Sequence, residues 1–566
     1  MRRCDNVGMH DLVIRGGKVV DGTGAAPVTA DVAIDGDQVV AVGQVDQAGT
    51  REIEADGALV TPGWVDVHTH YDGQATWDPV MRPSIDHGVT TAVMGNCGVG
   101  FAPVRPGGEA FLIELMEAIE DIPGTALHEG IDWRWETFGE YIDALAEMPR
   151  TLDLGTTVPH AAVRAYVLGD RCHEYDVDAA EIGEIARVMA DGVRAGALGV
   201  STSRTIQHRS RHGYEPGTFA LDEELMAIAD ELAGVGRGLF QFVSDKTYAQ
   251  AEWEWLEHLQ SKGVNVTYTL AQDPGAPEAY LANMDANHAA TLAGTPTAPQ
   301  VPTRPTGLLY GLQSTLHPFR AHPSYREIAD RPHAERLAAM RDPEFRARLL
   351  AEEPKTKDRF IWYLVNNFAH MYRLGDPADY EPPKEQGAAA VAEREGRTPQ
   401  EVIYDWLLED DGTAMIFMPL GSYVDHDHEA IRAMIEHPGS IFGLSDGGAH
   451  CGLICDASMP TYMLTHWARD RKRGPQLPVE LLVHKQTQAT ARVYGLHDRG
   501  VLAPGMLADI NVIDHANLTL HKPHMIHDLP AGGRRLVQDA DGYLATVKAG
   551  EIVVEHDEVT DARPGR

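Results

Sequence analysis

Short apolar runs punctuated by polar turns mark the two ends of this chain, and apolar runs alternating with amphipathic helical segments mark its middle. Near the N-terminus, Asp11-Leu-Val-Ile-Arg-Gly-Gly-Lys-Val-Val20 and Asp31-Val-Ala-Ile-Asp-Gly-Asp-Gln-Val-Val40 set β-branched residues on either side of Gly-Gly and Asp-Gly, which is a hairpin signal. The C-terminal stretch reads alike, with Ala508-Asp-Ile-Asn-Val-Ile513, Tyr543-Leu-Ala-Thr-Val-Lys548 and Glu551-Ile-Val-Val554. Neither end is long enough to bury a sheet alone. Residues 1–60 and 495–566 are therefore predicted to combine into one small β-sandwich domain, which brings the termini together.

Between the ends, strands and helices alternate in the pattern of a parallel α/β sheet or barrel. Eight strands are predicted: the run ending at His70, then 88–94, 152–158, 197–201, 238–243, 264–270, 414–419 and 440–445. Glu181–Met189 and Asp222–Leu232 have helical apolar spacing. The predicted fold class is α/β, a (β/α)8 barrel over 61–272 and 401–494. Residues 273–400 break the rhythm with Pro-rich turns (Thr295 to Pro305) and polar helices such as Pro332–Arg341. A structureless loop of that length is improbable, so a helical insertion lying over the barrel mouth is predicted. In such a barrel, chemistry collects at the C-terminal ends of the strands.

Composition narrows the function classes. With 566 residues, 43% of them hydrophobic, the chain can bury a large core in more than one unit. A formal net charge of -36 repels nucleic acid and anionic membrane, leaving a small molecule as the expected partner; a homo-oligomer stays open. The five cysteines, Cys4, Cys97, Cys172, Cys451 and Cys455, are odd in number and scattered, which suits a reducing compartment. No signal-like segment or long apolar run occurs, and a soluble cytoplasmic protein is expected.

The candidate chemistry starts at Val60-Thr-Pro-Gly-Trp-Val-Asp-Val-His-Thr-His70. Residues i and i+2 of a strand share a face, so His68 and His70 can aim at one metal ion. With 27 histidines, about one His-x-His arises by chance, and the second copy, His426-Asp-His428, reads as a solvated helix start. Cys97, in Met94-Gly-Asn-Cys-Gly98, is either a zinc-binding thiolate or a small buried hydrophobe. Asp446, in Gly443-Leu-Ser-Asp-Gly-Gly-Ala-His450, could bind metal and accept a proton from water, or simply form a turn.

Taken together, the His68/His70 and Asp446 segments resemble the metal-dependent amidohydrolase superfamily. Gly95-Asn-Cys-Gly-Val-Gly-Phe-Ala-Pro103, Val158-Pro-His-Ala-Ala-Val-Arg164, Gly196-Ala-Leu-Gly-Val-Ser-Thr202 and Asp498-Arg-Gly-Val-Leu-Ala-Pro-Gly-Met-Leu-Ala-Asp509 narrow this to a resemblance to its D-aminoacylase (N-acyl-D-amino-acid deacylase) family. The resemblance implies a (β/α)8 barrel with a terminal β-domain, and zinc activating water against an amide carbonyl. It implies His68, His70 and Cys97 as zinc ligands, and Asp446 as ligand and general base. His160, Arg164 and His450 become substrate-side candidates, the first two reading equally well as satisfied polar residues near the core.

Two departures stand out. Where the family carries ligand histidines at the ends of the fifth and sixth strands, this chain has Val243 and Leu270, and aliphatic side chains cannot bind zinc. One three-ligand cluster of His68, His70 and Asp446, holding one ion, is then expected; Asp245, His317, His322 or His370 could add a ligand. The family's substrate-clamping arginine is also missing from Cys451–Pro460, which weakens the case for carboxylate recognition, unless Arg204, Arg320 or Arg326 substitutes. The expected activity is hydrolysis of a linear C–N amide in an N-acyl amine or N-acyl-amino-acid-like compound. Cyclic amide opening, a non-hydrolytic isomerisation or decarboxylation, and a metal-free binding protein are the alternatives.

Overall fold

The computed structural model describes residues 8–245, 250–294 and 297–566; Cys4 and Thr295 lie outside them. Eight parallel strands make the central sheet: β1 Trp64–Asp66, β2 Val89–Met94, β3 Asp153–Pro159, β4 Gly199–Arg204, β5 Leu239–Ser244, β6 Asn265–Thr269, β7 Thr297–Val301 and β8 Ile441–Phe442. Neighbours in the chain are neighbours in the sheet. Closure comes just beyond the first and last strands, where Asp446 N–H donates to His68 C=O (3.0 Å) and His70 N–H to Gly447 C=O (2.8 Å). The two ends of the sheet are thus sewn together by the residues predicted to carry the chemistry.

Helices pack outside the sheet. Those that bear on the site are α1 Glu109–Glu120, α2 His160–Leu168, α3 Ala179–Ala195 and α4 Asp222–Val235. Helix α3 begins on Asp178, whose carboxylate accepts the N–H groups of Ala180 and Glu181, while the Glu181 side chain returns to the Asp178 N–H. This capping box satisfies donors a helix start leaves unpaired. Its buried residues, Ile185, Ala186, Met189, Ala190 and Val193, recur at helical spacing and cover the sheet.

Both ends of the chain share one nine-stranded sheet. Leu59–Pro62 lies between His10–Val19, which it meets in parallel, and Ile510–Ile513, which it meets antiparallel. One residue later the same run enters β1, so the terminal sheet fixes the approach to the histidine pair.

The seventh strand corrects the sequence reading. It is Thr297–Val301, inside the stretch predicted as insertion, and not 414–419. Ile416–Pro419 instead pairs antiparallel with Gly307–Tyr310 and Tyr372–Arg373. Pro299 removes a ladder donor and disguised β7 as a turn, whereas Ile416 and Met418 are apolar because they serve another core, and Phe417, on the alternate face, joins the main one. The other core gathers Leu308, Tyr310, Phe319, Tyr325, Leu349, Val402 and Leu407 between β7 and β8. Among the described residues, no helix is long and apolar enough to cross a membrane.

Candidate metal centre

His68 and His70 follow β1, with Thr69 between them bridged to Gly447. Both side chains are 1% exposed, with ring centroids 5.5 Å apart. His68 Nδ1 lies 2.6 Å from Gln300 Oε1. The amide of Gln300 is oriented from behind, since its Nε2 donates to Thr267 Oγ1 (3.2 Å) and Tyr494 OH (3.0 Å). Oε1 must therefore accept, Nδ1 carries the proton, and the Nε2 lone pair points into the site.

Cys97 reaches the same point from the end of β2. The Gly95–Gly98 turn has left-handed backbone at Gly95 (φ 78°), Cys97 (φ 57°) and Gly98 (φ 81°). The Asn96 side chain holds it down by donating to Thr69 C=O (3.1 Å) and Val93 C=O (2.9 Å), and Cys97 N–H donates to Gln241 Oε1 (3.3 Å). The left-handed Cys97 is the kind of local strain that surrounding structure must enforce.

The ligand atoms of His68, His70 and Cys97 all lie within 4.8 Å of one another. His68 Nε2 is 3.3 Å from Cys97 Sγ and 3.4 Å from Asp446 Oδ1, and His70 Nε2 is 3.7 Å from the same oxygen. Bonds of about 2.0–2.3 Å to a tetrahedral zinc put neighbouring ligand atoms roughly 3.3–3.6 Å apart. The donor set and its spacings therefore fit a divalent ion.

The electrostatics call for a cation. Burial raises the carboxyls of Asp66 and Asp72 to about 7 and pushes those of Glu120 and Glu215 well above their usual range. It raises the Cys97 thiol likewise, with the charge of Glu120 adding to the effect. None of the four carboxyls pairs with a lysine or arginine among the described residues. Burial also lowers His68, and lowers His70 to about 4, so both imidazoles are neutral near neutral pH, as ligation requires. At Asp446 burial acts upward, but hydrogen bonding to His70 and the charges that His68 and His450 carry when protonated act downward and prevail; with the imidazoles neutral, a bound cation takes over that role and keeps the carboxylate ionised.

The remaining predicted residues separate. His450 comes to the centre, its Nε2 3.4 Å from Glu120 Oε2. His160 and Arg164 do not: both are fully buried, with His160 bound to Thr202 Oγ1 (2.8 Å) and Glu224 Oε1 (2.7 Å) and Arg164 to both Glu224 oxygens (2.5 Å each). Their polar groups are taken up by β4, by Glu224 of α4 and, for Arg164, by the Cys172 and Glu174 carbonyls, which leaves little for a substrate. Asp245 accepts from Thr205 and Ile206. His317 packs on Tyr325, and His370 stacks on His426; neither joins the group of His68, His70 and Cys97. Arg204 donates to Ala220 C=O and Arg326 to Lys355 C=O.

His428 does precede a helix, Glu429–Glu436, but it is fully buried rather than solvated. Its ligand atom approaches those of Glu381 and His466, yet Arg471 covers both oxygens of Glu381, at 3.1 and 2.9 Å, which makes this an ion-paired network.

Sequence reasoning missed Gln300, Gln241 and Glu120, and the pairing of His208 with the buried Glu215 at 3.2 Å. Glu120 left one signal, its place in the buried stripe Leu112, Leu115, Met116, Ile119 of α1. Val243 and Leu270, where ligands were absent, line a cavity of about 280 Å³ together with His208, Asp245, Gln272 and Ser422. That cavity opens at the ends of β5 and β6.

A closed parallel barrel whose strand ends bring two imidazoles, a thiol and a carboxylate onto one buried point is the frame of a metal-dependent hydrolase. The chain belongs to the amidohydrolase family, whose model matches residues 51–554. It is 28% identical to an uncharacterized protein of Mycobacterium tuberculosis over 96% of this chain and 92% of that one. It is 27% identical to N-acyl-D-glutamate deacylase of Alcaligenes xylosoxydans xylosoxydans, over 89% of this chain and 87% of the relative. Its fold matches a solved structure of D-aminoacylase, described as having a binuclear metal centre with one-metal activation, at a TM-score of 0.64 and 23% identity, covering 98% and 99% of the two chains.

Proposed function

We propose that this chain hydrolyses the linear C–N amide bond of an N-acyl amine or N-acyl-amino-acid-like compound, using one zinc ion held by His68, His70, Cys97 and Asp446. The observation that carries the reading is the convergence of His68 Nε2, His70 Nε2 and Cys97 Sγ beside an ionised Asp446. Nitrogen and sulfur donors at tetrahedral spacing favour zinc over magnesium or calcium. Kinship with a curated deacylase supports the amide as the bond attacked.

A divalent ion in this set supplies Lewis acidity toward water and toward the scissile carbonyl. Asp446 accepts the proton of the attacking water and returns it to the departing nitrogen. Gln300 holds His68 in one tautomer throughout. The cavity bordered by Val243, Leu270, His208, Asp245 and Gln272 takes the part of the substrate beyond the amide, through mixed apolar and polar contacts.

The test pairs metal analysis of the purified protein with product analysis on a panel of N-acyl amines and N-acyl-D- and L-amino acids. Bound zinc near one per chain, with release of free amine and carboxylate, is expected. Full turnover by Asp446→Asn, an isomer or carbon dioxide as product, or substoichiometric metal after growth with zinc would overturn the reading.

A further inference from the structure

Glu120 stands in the centre with no role in the ligand set above. It ends α1, its side chain is 2% exposed, and its Oε2 lies 3.6 Å from His70 Nε2 and 3.4 Å from His450 Nε2. Its other oxygen, Oε1, is buried without any hydrogen-bond partner, as is His70 Nδ1. A buried carboxylate oxygen left without a donor is costly, and a fold keeps one where something else satisfies it.

The backbone shows that this placement is enforced. His450 N–H donates to the Glu120 C=O, and the next residue, Asp121, accepts from Gly452 N–H (3.1 Å) and Thr315 Oγ1 (3.1 Å). The end of α1 is therefore tied to the loop that carries Asp446 and His450, and the Glu120 carboxylate is fixed on the His70 side of the site. The opposite side, at the ends of β5 and β6, offers Val243 and Leu270, which have no donor atom.

We propose that Glu120 is itself a ligand of the metal centre, its carboxylate binding beside His70 Nε2 so that the ion also takes up the lone pairs Oε1 leaves unpartnered, and a carboxylate from the β2 side adds to a donor set to which β5 and β6 contribute nothing. The inference rests on the reading that His68, His70, Cys97 and Asp446 hold a cation. The Glu120–His70 separation matches the Asp446–His70 separation of 3.7 Å, so His70 shares one edge with each carboxylate. His450, on the far side of Oε2, orients that carboxylate.

The experiment measures zinc affinity by chelator competition for the wild-type chain, Glu120→Gln and Glu120→His, with circular dichroism of the metal-stripped proteins as the folding control. Cobalt(II) spectra of all three report the ligand field directly and need no substrate. Glu120→Gln keeps size and loses the anionic donor; its zinc affinity is expected to fall about 10- to 100-fold, the loss seen when groups that tune a metal site are removed. Glu120→His is expected to retain cobalt with a shifted visible spectrum. Wild-type affinity and an unchanged spectrum in both variants would overturn the inference while leaving the hydrolase reading intact. A wild-type chain that binds neither metal would overturn that reading and this inference with it. If Glu120→Gln does not fold, the comparison of wild type with Glu120→His decides, an identical spectrum counting against ligation.

Discussion

Gln300 and His68 meet at 2.6 Å across the barrel, from β7 to the end of β1. Tyr494 OH, which accepts from Gln300 Nε2, also lies 3.3 Å from the Val67 C=O, so the amide is oriented by the chain segment it serves. Gln300→Leu removes the acceptor and frees the imidazole to rotate or change tautomer. Zinc affinity is expected to drop about 10- to 100-fold with little change in the fold, and Gln300→Glu, which still accepts from Nδ1, should recover most of it. Equal affinity in the leucine variant, measured by chelator competition, would show that the contact does not orient the ligand.

That contact also explains what the sequence conceals. Strands β1 to β6 are legible because each is an apolar or β-branched run bounded by turns. Thr297-Ala-Pro-Gln-Val301 is not, because Gln300 is polar for the sake of His68 and Pro299 mimics a loop. The more apolar 414–419 outcompetes it on paper, although Ile416 and Met418 pack a separate core. In the site, His68, His70, Cys97 and Asp446 are visible because each sits at a strand end among small residues. Glu120 and Gln300 occupy ordinary helix and strand positions with no motif around them, and only three-dimensional proximity brings them to the centre.

Gly95 sets the Cys97 turn. Its φ of 78° is left-handed, and a Cβ there would lie 2.2 Å from the Thr157 C=O on β3. Gly95→Ala thus meets a backbone penalty of roughly 1–2 kcal/mol and a clash with an atom that cannot swing aside. The turn should shift and withdraw Cys97 Sγ from His68. The expected outcome is a lower melting temperature and loss of the sulfur-to-cobalt charge-transfer band in the cobalt(II) protein; retention of that band would show that the turn absorbs the methyl group.

Glu224 makes a pH-dependent contribution away from the site. Burial acts to raise its carboxyl, but hydrogen bonds and charge from His160 and Arg164 prevail and bring it down to about 2. A folded-state value below the unfolded one means stabilisation that is present above the unfolded value and lost as pH falls toward the folded one. Glu224→Gln leaves Arg164 buried and unpaired, at a cost of about 3–5 kcal/mol near neutral pH. The stability gap between wild type and variant, from denaturant unfolding, should narrow steadily from about pH 5 toward about pH 2. A gap that is constant with pH would mean the pair is not ionised in the folded chain.

The ends of β5 and β6 allow a gain-of-binding test. Gln241 on β5 accepts the Cys97 N–H at 3.3 Å, and Val243, two residues further along, shares its face. Leu270, whose N–H donates to the Gln300 C=O at 2.9 Å, lies with Val243 on the cavity of about 280 Å³. That volume has room for two imidazoles. Val243→His with Leu270→His would place two nitrogen donors toward the thiol of Cys97, which already lies 3.3 Å from His68 Nε2 and could then be shared between two ions. Zinc content, by elemental analysis of protein dialysed against trace zinc, should rise from about one toward about two per chain. The two single variants should fall between, since one added imidazole leaves the new position short of donors. If the double variant holds no more metal than the wild type, Val243 and Leu270 do not face Cys97, and the donors missing from these two strands do not explain a one-ion centre.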